Sequence, residues 1–334
     1  MMEIPQAGFV LVPTPIERLS CLSEALEIDL WVKRDDLAGP SFGGNKTRQL
    51  DFYLGAAVQQ NCDTILITGA VQSNFVRTAA ALAAKLGMRT IIQLEARVPE
   101  QDVLYQSSGN VLLNQLLGAE VIFYPEGEDE VGADAALRER ALQERANGFR
   151  PYVIPLALGN PPLGALGYIS AANEIMDQKP DFDFVVVASG SGLTHAGLLT
   201  GLNSRGFPGR VIGSCVRRDA VQQRERIRTV LDGIEALNTP SKHVPSNKIS
   251  IWDGALNPGY GQIGAAAFSA MKMMAQTEGL ILDPVYTAKA FAAISAHVEN
   301  GEITKGSKVL FVHTGGLASL FAYQTDLERL LSLN

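Results

Sequence analysis

An α/β architecture of parallel sheets follows from three observations on this 334-residue chain. Short apolar runs rich in β-branched residues recur along it. Helical stretches lie between several of these runs, and many of the 32 glycines stand just after one. Six runs predict strands: Thr64–Thr68 (TILIT), Thr90–Leu94 (TIIQL), Val121–Tyr124 (VIFY), Phe184–Ala188 (FVVVA), Val211–Val216 and Val309–His313 (VLFVH). They are apolar throughout, as strands covered on both faces should be. Strand–helix alternation implies crossovers that place helices on both faces of a parallel sheet. Phe75–Leu86 (FVRTAAALAAKL) reads as such a helix, Ala-rich, capped by Ser73 or Asn74 and stopped at Gly87. Glu126–Asn147 is charged and Ala-rich and reads as a solvated amphipathic helix. At ~100–200 residues per domain, the length suits two domains or one large body. No flexible linker divides the chain, so two domains would share it by insertion, with a cleft between them.

Composition narrows the function. Twenty-eight basic against 35 acidic residues give a net charge of −7, which argues against a nucleic-acid or anionic-membrane surface. No apolar run approaches the ~20 residues of a membrane span. The first residues (MMEIPQAGFVLVPTP) lack a basic region followed by an apolar core, so a cytoplasmic protein without signal peptide is expected. Cys21, Cys62 and Cys215 are too few and too far apart for a disulfide or zinc framework, and they read as buried thiols. The four histidines have no ligand spacing, so no metal is expected.

Three Gly-rich segments are candidates for chemistry. In Phe42–Arg48 (FGGNKTR), Lys46 stands just behind two glycines on a turn. Alone it reads as an exposed lysine. In a partly desolvated pocket its amine loses its proton more easily and becomes a Schiff-base nucleophile. Gly69–Arg77 (GAVQSNFVR) leaves a strand and enters the Ala-rich helix. Ser73 and Asn74 there are either caps or, with free backbone N–H groups, a carboxylate site. Ser189–Gly197 (SGSGLTHAG) follows the strand FVVVA and fits neither G-x-G-x-x-G nor G-x-S-x-G. It reads as a phosphate cradle or a plain tight turn, with His195 structural. Asp283–Thr287 (DPVYT) and Phe311–Gly316 (FVHTGG) mean little alone.

Taken in order, these segments resemble the pyridoxal-phosphate enzymes of the tryptophan-synthase-β type, within them the D-cysteine desulfhydrase and 1-aminocyclopropane-1-carboxylate deaminase branch. The resemblance runs from Pro13-Thr14-Pro15 through Trp31–Asp36 (WVKRDD) and GGNKTR to FVHTGG and Phe321-Ala322-Tyr323, nearly the whole chain. It implies two doubly wound parallel-sheet domains, a large one over 1–50 and 161–334 and a smaller inserted one over 51–160, with pyridoxal phosphate between them, and a homodimer. It further implies that Lys46 binds the cofactor as a Schiff base and takes the Cα proton. Asn74 would bond the cofactor's 3′-oxygen and Ser73 the substrate carboxylate. Gly190, Ser191, Gly192, Leu193 and Thr194 would cradle the phosphate. Tyr260 (in PGYG) and Tyr286 (in DPVYT) match the branch's two active-site tyrosines, and Thr287 and Thr314 fall near the pyridine nitrogen.

Position 287 discriminates within the branch. The deaminases carry Glu after the tyrosine of DPVY, where a carboxylate keeps the pyridine nitrogen protonated for the harder ring opening. Neutral Thr287 suits β-elimination, so D-cysteine, giving pyruvate, sulfide and ammonia, is the expected substrate. Two departures stand against it. Phe75 replaces the branch's polar His or Gln, and Leu156–Pro162 (LALGNPP) replaces its small Gly-Gly-Ser stretch. They leave as alternatives another β-substituted alanine such as L-cysteate, aminocyclopropane-carboxylate deamination, or a cofactor-binding relative with little turnover.

Overall fold

The computed structural model describes residues 4–99, 101–238 and 240–333. Ten strands run in chain order among them: β1 (Ile16–Arg18), β2 (Asp29–Lys33), β3 (Thr64–Ala70), β4 (Arg89–Glu95), β5 (Glu120–Tyr124), β6 (Pro151–Ile154), β7 (Phe184–Ser189), β8 (Arg210–Cys215), β9 (Ser250–Trp252) and β10 (Lys308–Val312). All six expected strands are present, shifted by a residue or two at their ends. The four others are short or interrupted by charge. β2 is instructive: Lys33 is fully buried, its amine donating to the Thr14 carbonyl (2.8 Å), Gln178 (2.7 Å) and Glu174 (3.1 Å). A charge that finds these partners is tolerated inside a sheet, and no local pattern announces them.

The chain divides into two compact units. One comprises Leu11–Ala38 and Pro161–Gly316, and the other Gly39–Asn160 with the segments before Leu11 and after Gly316. The expected boundary at residue 50 is thereby displaced, and Lys46 lies in the inserted unit. Packing explains the difference. Helix Asn45–Gln59 lies against helix Asn74–Lys85, and Asp51 accepts from the Phe9 N–H (2.8 Å) and, at its carbonyl, from the Ala7 N–H (2.9 Å). Near the carboxyl end, Tyr323 meets Tyr105 edge-on at 5.5 Å.

The larger unit holds a six-stranded sheet of order β1-β2-β10-β7-β8-β9, parallel except for β1. Its core packs β7 and β8 against helices Leu163–Gln178 and Leu193–Ser204. Those helices approach closely because Gly197 has no side chain; a Cβ there would stand 2.3 Å from the Ala165 carbonyl oxygen. The inserted unit holds a wholly parallel four-stranded sheet of order β5-β4-β3-β6. Helix Glu130–Ala146, capped by Asp129, covers it with Leu137 and Ala141 on Leu66 and Ile91. Only Cys215 is a buried thiol. Cys21 is exposed because helix Ser20–Ala25 turns Leu22 and Ser23 inward instead, and Cys62 is half-buried. No described helix is long and apolar enough to cross a membrane.

Each sheet has one point where the strand order reverses. In the inserted unit it lies between β3 and β6, in the larger unit between β7 and β10. Loops leaving the carboxyl ends of strands at such a point have open space above them, where ligands of open α/β sheets bind. The segments GAVQSN, LALGNPP, SGSGLT and HTGG leave those four strands.

Candidate active site

In the inserted unit, Lys46 occupies the first turn of helix Asn45–Gln59. The approach is strained, since Ser41, Phe42, Gly43 and Gly44 all have positive φ (54°, 66°, 54° and 93°). For Ser41 and Phe42 this costs about 1–2 kcal/mol each. The buried Arg77 guanidinium offsets it by donating from Nη1 to the Ser41 carbonyl. The Lys46 amine has a weak contact to Gln49 Oε1 at 3.3 Å and lies 5.4 Å from the centre of the Phe75 ring. Burial draws its pKa down from 10.5 to about 8, so a substantial fraction is neutral and nucleophilic near physiological pH. Phe75 is buried and belongs to the lysine's surroundings.

Ser73 caps helix Asn74–Lys85, its Oγ accepting from the Phe75 and Val76 N–H groups at 3.2 and 3.4 Å. The cap leaves the hydroxyl proton to donate, so the two roles open in the sequence are compatible. Gly69 makes room, because a Cβ there would stand 2.7 Å from Ser73 Oγ. Asn74 is nearly buried, with Oδ1 accepting from Asn110 Nδ2 at 3.0 Å. The Leu156–Asn160 part of LALGNPP is tied to buried Asp134, which accepts from the Leu156 and Ala157 N–H groups at 3.0 and 3.1 Å and from Asn160 Nδ2 at 3.2 Å.

In the larger unit, Gly190–Thr194 follows β7 and opens helix Leu193–Ser204, which has no side-chain cap. Gly192 has φ 97°, a conformation that glycine adopts freely. Two carbonyls of the loop are held from helix Ala220–Ala236. Gln223 Nε2 donates to the Gly190 carbonyl at 3.1 Å and Arg226 Nε to that of Ser191 at 2.8 Å. In a trans peptide the next N–H points the opposite way, so the Ser191 and Gly192 N–H groups face away from that helix. His195 is buried beside Ser189 (3.2 Å), and burial draws it down to about 3, a neutral structural histidine.

Tyr260 and Tyr286 meet hydroxyl to hydroxyl at 2.6 Å, and a Cβ at Gly190 would lie 3.9 Å from Tyr286 Cε1. Asp283 and Lys289 secure them. Asp283 Oδ2 accepts from the Val285 and Tyr286 N–H groups, both at 2.9 Å, while Oδ1 accepts from Thr287 N (2.8 Å) and Oγ1 (2.6 Å). The Thr287 hydroxyl proton is therefore engaged with Asp283. Burial pushes the Asp283 carboxyl above the usual range against these four donors. Lys289, fully buried, donates to the carbonyls of Leu256 (3.2 Å) and Gly259 (2.8 Å) in the loop carrying Tyr260. Thr314 is buried just past β10. Sequence reasoning missed Asp283, Lys289 and Asn110. Asp283 had a signal, a short acceptor side chain just before Pro284 that can close an Asx turn on the Val285 N–H. The other two had none.

Lys46, Ser73, Asn74 and Phe75 thus gather in one unit, and the glycine loop, Tyr260, Tyr286, Thr287 and Thr314 in the other. The donor set suits pyridoxal phosphate, with a depressed lysine amine for an aldehyde and backbone N–H groups at a helix start for a phosphate. Comparison with known proteins agrees. The family model described as pyridoxal-phosphate dependent enzyme matches residues 9–315. A D-cysteine desulfhydrase of Yersinia pestis (strain Pestoides F) is 39% identical over 327 residues, covering 97% of each chain. One of Salmonella typhimurium is 38% identical over 329 residues at the same coverage. A crystal structure described as an ACC deaminase homologue superimposes with a TM-score of 0.86 at 33% identity, covering 98% of this chain and 97% of its own. Threonine deaminase isoform 2 of Solanum lycopersicum, at 17% identity and a TM-score of 0.66 over 97% of this chain and 85% of its own, shares the fold.

Proposed function

The chain belongs to the pyridoxal-phosphate-dependent enzyme family, and from that premise we propose that it is a β-eliminating carbon–sulfur lyase converting D-cysteine to pyruvate, sulfide and ammonia. The observation that carries the substrate is the 39% identity, over 97% of both chains, to a D-cysteine desulfhydrase. Both residue sets serve one reaction in this reading. Pyridoxal phosphate, when bound, supplies the sink for the electron pair left at Cα.

The chain's own groups do the rest. Lys46 would hold the cofactor's aldehyde and, as a free amine, would take the Cα proton; its lowered pKa suits a base near neutral pH. The Ser73 hydroxyl binds the substrate carboxylate, and Asn74 donates to the cofactor's 3′-oxygen. The N–H groups of Gly190–Thr194 hold the phosphate. Thr314 and Thr287 would stand near the pyridine nitrogen as neutral groups, the Thr287 hydroxyl being engaged with Asp283. The tyrosine pair, joined hydroxyl to hydroxyl at 2.6 Å, protonates the departing sulfur. The resemblance also supports a cytoplasmic homodimer, and a monomer by sedimentation at working concentration would refute the dimer.

The test is a keto-acid assay of the holoenzyme with D-cysteine, L-cysteine, L-cysteate, D-serine and aminocyclopropane carboxylate side by side. Pyruvate and sulfide from D-cysteine are expected. Pyruvate from L-cysteate alone, or 2-oxobutyrate from aminocyclopropane carboxylate, would transfer the reading to those substrates. A visible band that shifts with amino acids without product would mark a binding relative. Lys46→Ala should lose both the visible band and turnover, and full activity in that variant would refute the mechanism.

A further inference from the structure

The Asn74 amide has two possible orientations, and its neighbours permit only one. Asn110, fully buried, touches the backbone carbonyl of Gln72 with Nδ2 at 3.0 Å and Arg77 Nε with Oδ1 at 3.1 Å. A carbonyl only accepts and a guanidinium only donates, so Asn110 cannot be turned over. Its Nδ2 therefore also donates toward Asn74 at 3.0 Å, and Arg77 Nη2 approaches the same atom at 3.5 Å. Two donors converge on one Asn74 atom, which must be Oδ1. The Asn74 Nδ2 is left turned away from both as a donor, on a residue that is only 9% exposed.

Resting on the reading that Asn74 meets the cofactor's 3′-oxygen, we infer that Asn110 and Arg77 are positioning residues that lock Asn74 as a hydrogen-bond donor to that anionic oxygen. Flipped, Asn74 would present a lone pair to a negative charge. The lock itself is anchored. The Gln72 side chain fastens the Asn110 backbone, accepting from its N–H at 2.9 Å while donating to the Tyr105 (2.6 Å) and Ser108 (3.0 Å) carbonyls. Arg77 reaches onward to the Ser41 carbonyl, so one buried cation orients Asn74 and secures the strained approach to Lys46.

Asn110→Asp tests this with nearly unchanged shape. Its carboxylate pairs with Arg77 through one oxygen and presents the other to Asn74, which then turns its Nδ2 inward. The readout is the pH titration of the bound cofactor's visible band, because a donor on the 3′-oxygen stabilises the deprotonated chromophore. Losing a hydrogen bond to a charged atom should raise the midpoint by about one to two pH units. Asn74→Ala should raise it equally, and Asn110→Asp in that background should add nothing. Asn110→Ala, which frees Asn74 to rotate, should give a smaller rise and serves if the aspartate variant does not fold. An Asn74→Ala midpoint that does not move would refute the cofactor reading of Asn74 and the inference with it. A shift in Asn74→Ala with none in folded Asn110 variants, or an undiminished Asn110→Asp shift in the Asn74→Ala background, would overturn the inference alone.

Discussion

Replacing Lys289 by methionine should leave stability near pH 7 almost unchanged while lowering turnover. Burial draws the Lys289 amine from 10.5 to about 8, although nearby Asp283 acts the other way. At ~1.4 kcal/mol per pKa unit, keeping it charged in the folded protein at neutral pH costs about 3 kcal/mol. Methionine removes that penalty and also the two hydrogen bonds to Leu256 and Gly259. Leaving two carbonyls without a donor costs about 2–4 kcal/mol. The opposing changes nearly cancel at pH 7. A group whose folded pKa lies below its unfolded one gains stability as pH rises between the two values, since there the unfolded chain binds the extra proton. Lys289 should therefore add about 3 kcal/mol to the parent's stability between pH 8 and 10.5, and Lys289→Met should lack that rise. At pH 10.5 the variant becomes the less stable protein by about 2–4 kcal/mol. Urea unfolding at both pH values reads this directly. With the Tyr260 loop released, turnover of D-cysteine should fall by about ten- to a hundredfold, the equivalent of ~1.4–2.7 kcal/mol in the barrier. A folded variant with parental turnover, or one whose stability keeps the parent's rise above pH 8, would refute the reasoning.

Two further predictions concern the cofactor's surroundings. Phe75→Leu removes an aromatic face 5.4 Å from the Lys46 amine, and a cation–π contact of about 0.5–2 kcal/mol favours the charged form. The Lys46 pKa in the cofactor-free protein should fall by up to about one unit, read as an acid shift in the pH profile of the cofactor-binding rate; an alkaline shift would exclude that contact. Gly192→Ala places a Cβ at φ 97° and 3.3 Å from Val230 Cγ2. The strain of about 1–2 kcal/mol should weaken cofactor affinity by roughly tenfold, measured by fluorescence titration, and unchanged affinity would remove the loop from the phosphate site.

Parallel-sheet architecture, the six apolar strands and the helix behind Ser73 were legible in the sequence because each depends on neighbours within a few residues. The candidate site residues stood out for a similar reason. Glycine before Lys46, Ser-Asn at a helix start and Ser-Gly after a strand mark local geometry that side chains would obstruct, and their order along the chain resembles one family. The division of the chain was less legible. Lys46 belongs to the inserted unit because helix Asn45–Gln59 packs on helix Asn74–Lys85, a contact that residues 45–59 alone do not reveal.

The supporting groups lay furthest from local inspection. Asn110 lies 36 residues from Asn74 and meets it across a buried network. Lys289 reads as an ordinary helical lysine until its amine is seen between two loop carbonyls, 30 and 33 residues back in the chain. Thr287 looked like a cofactor contact, yet its hydroxyl proton is held by Asp283. The sequence by itself determined which chemical groups this protein carries and the local geometry that presents them. Their orientation, their protonation and the partners that hold them were decided only by the tertiary structure, because hydrogen bonds and desolvation depend on what surrounds an atom in space.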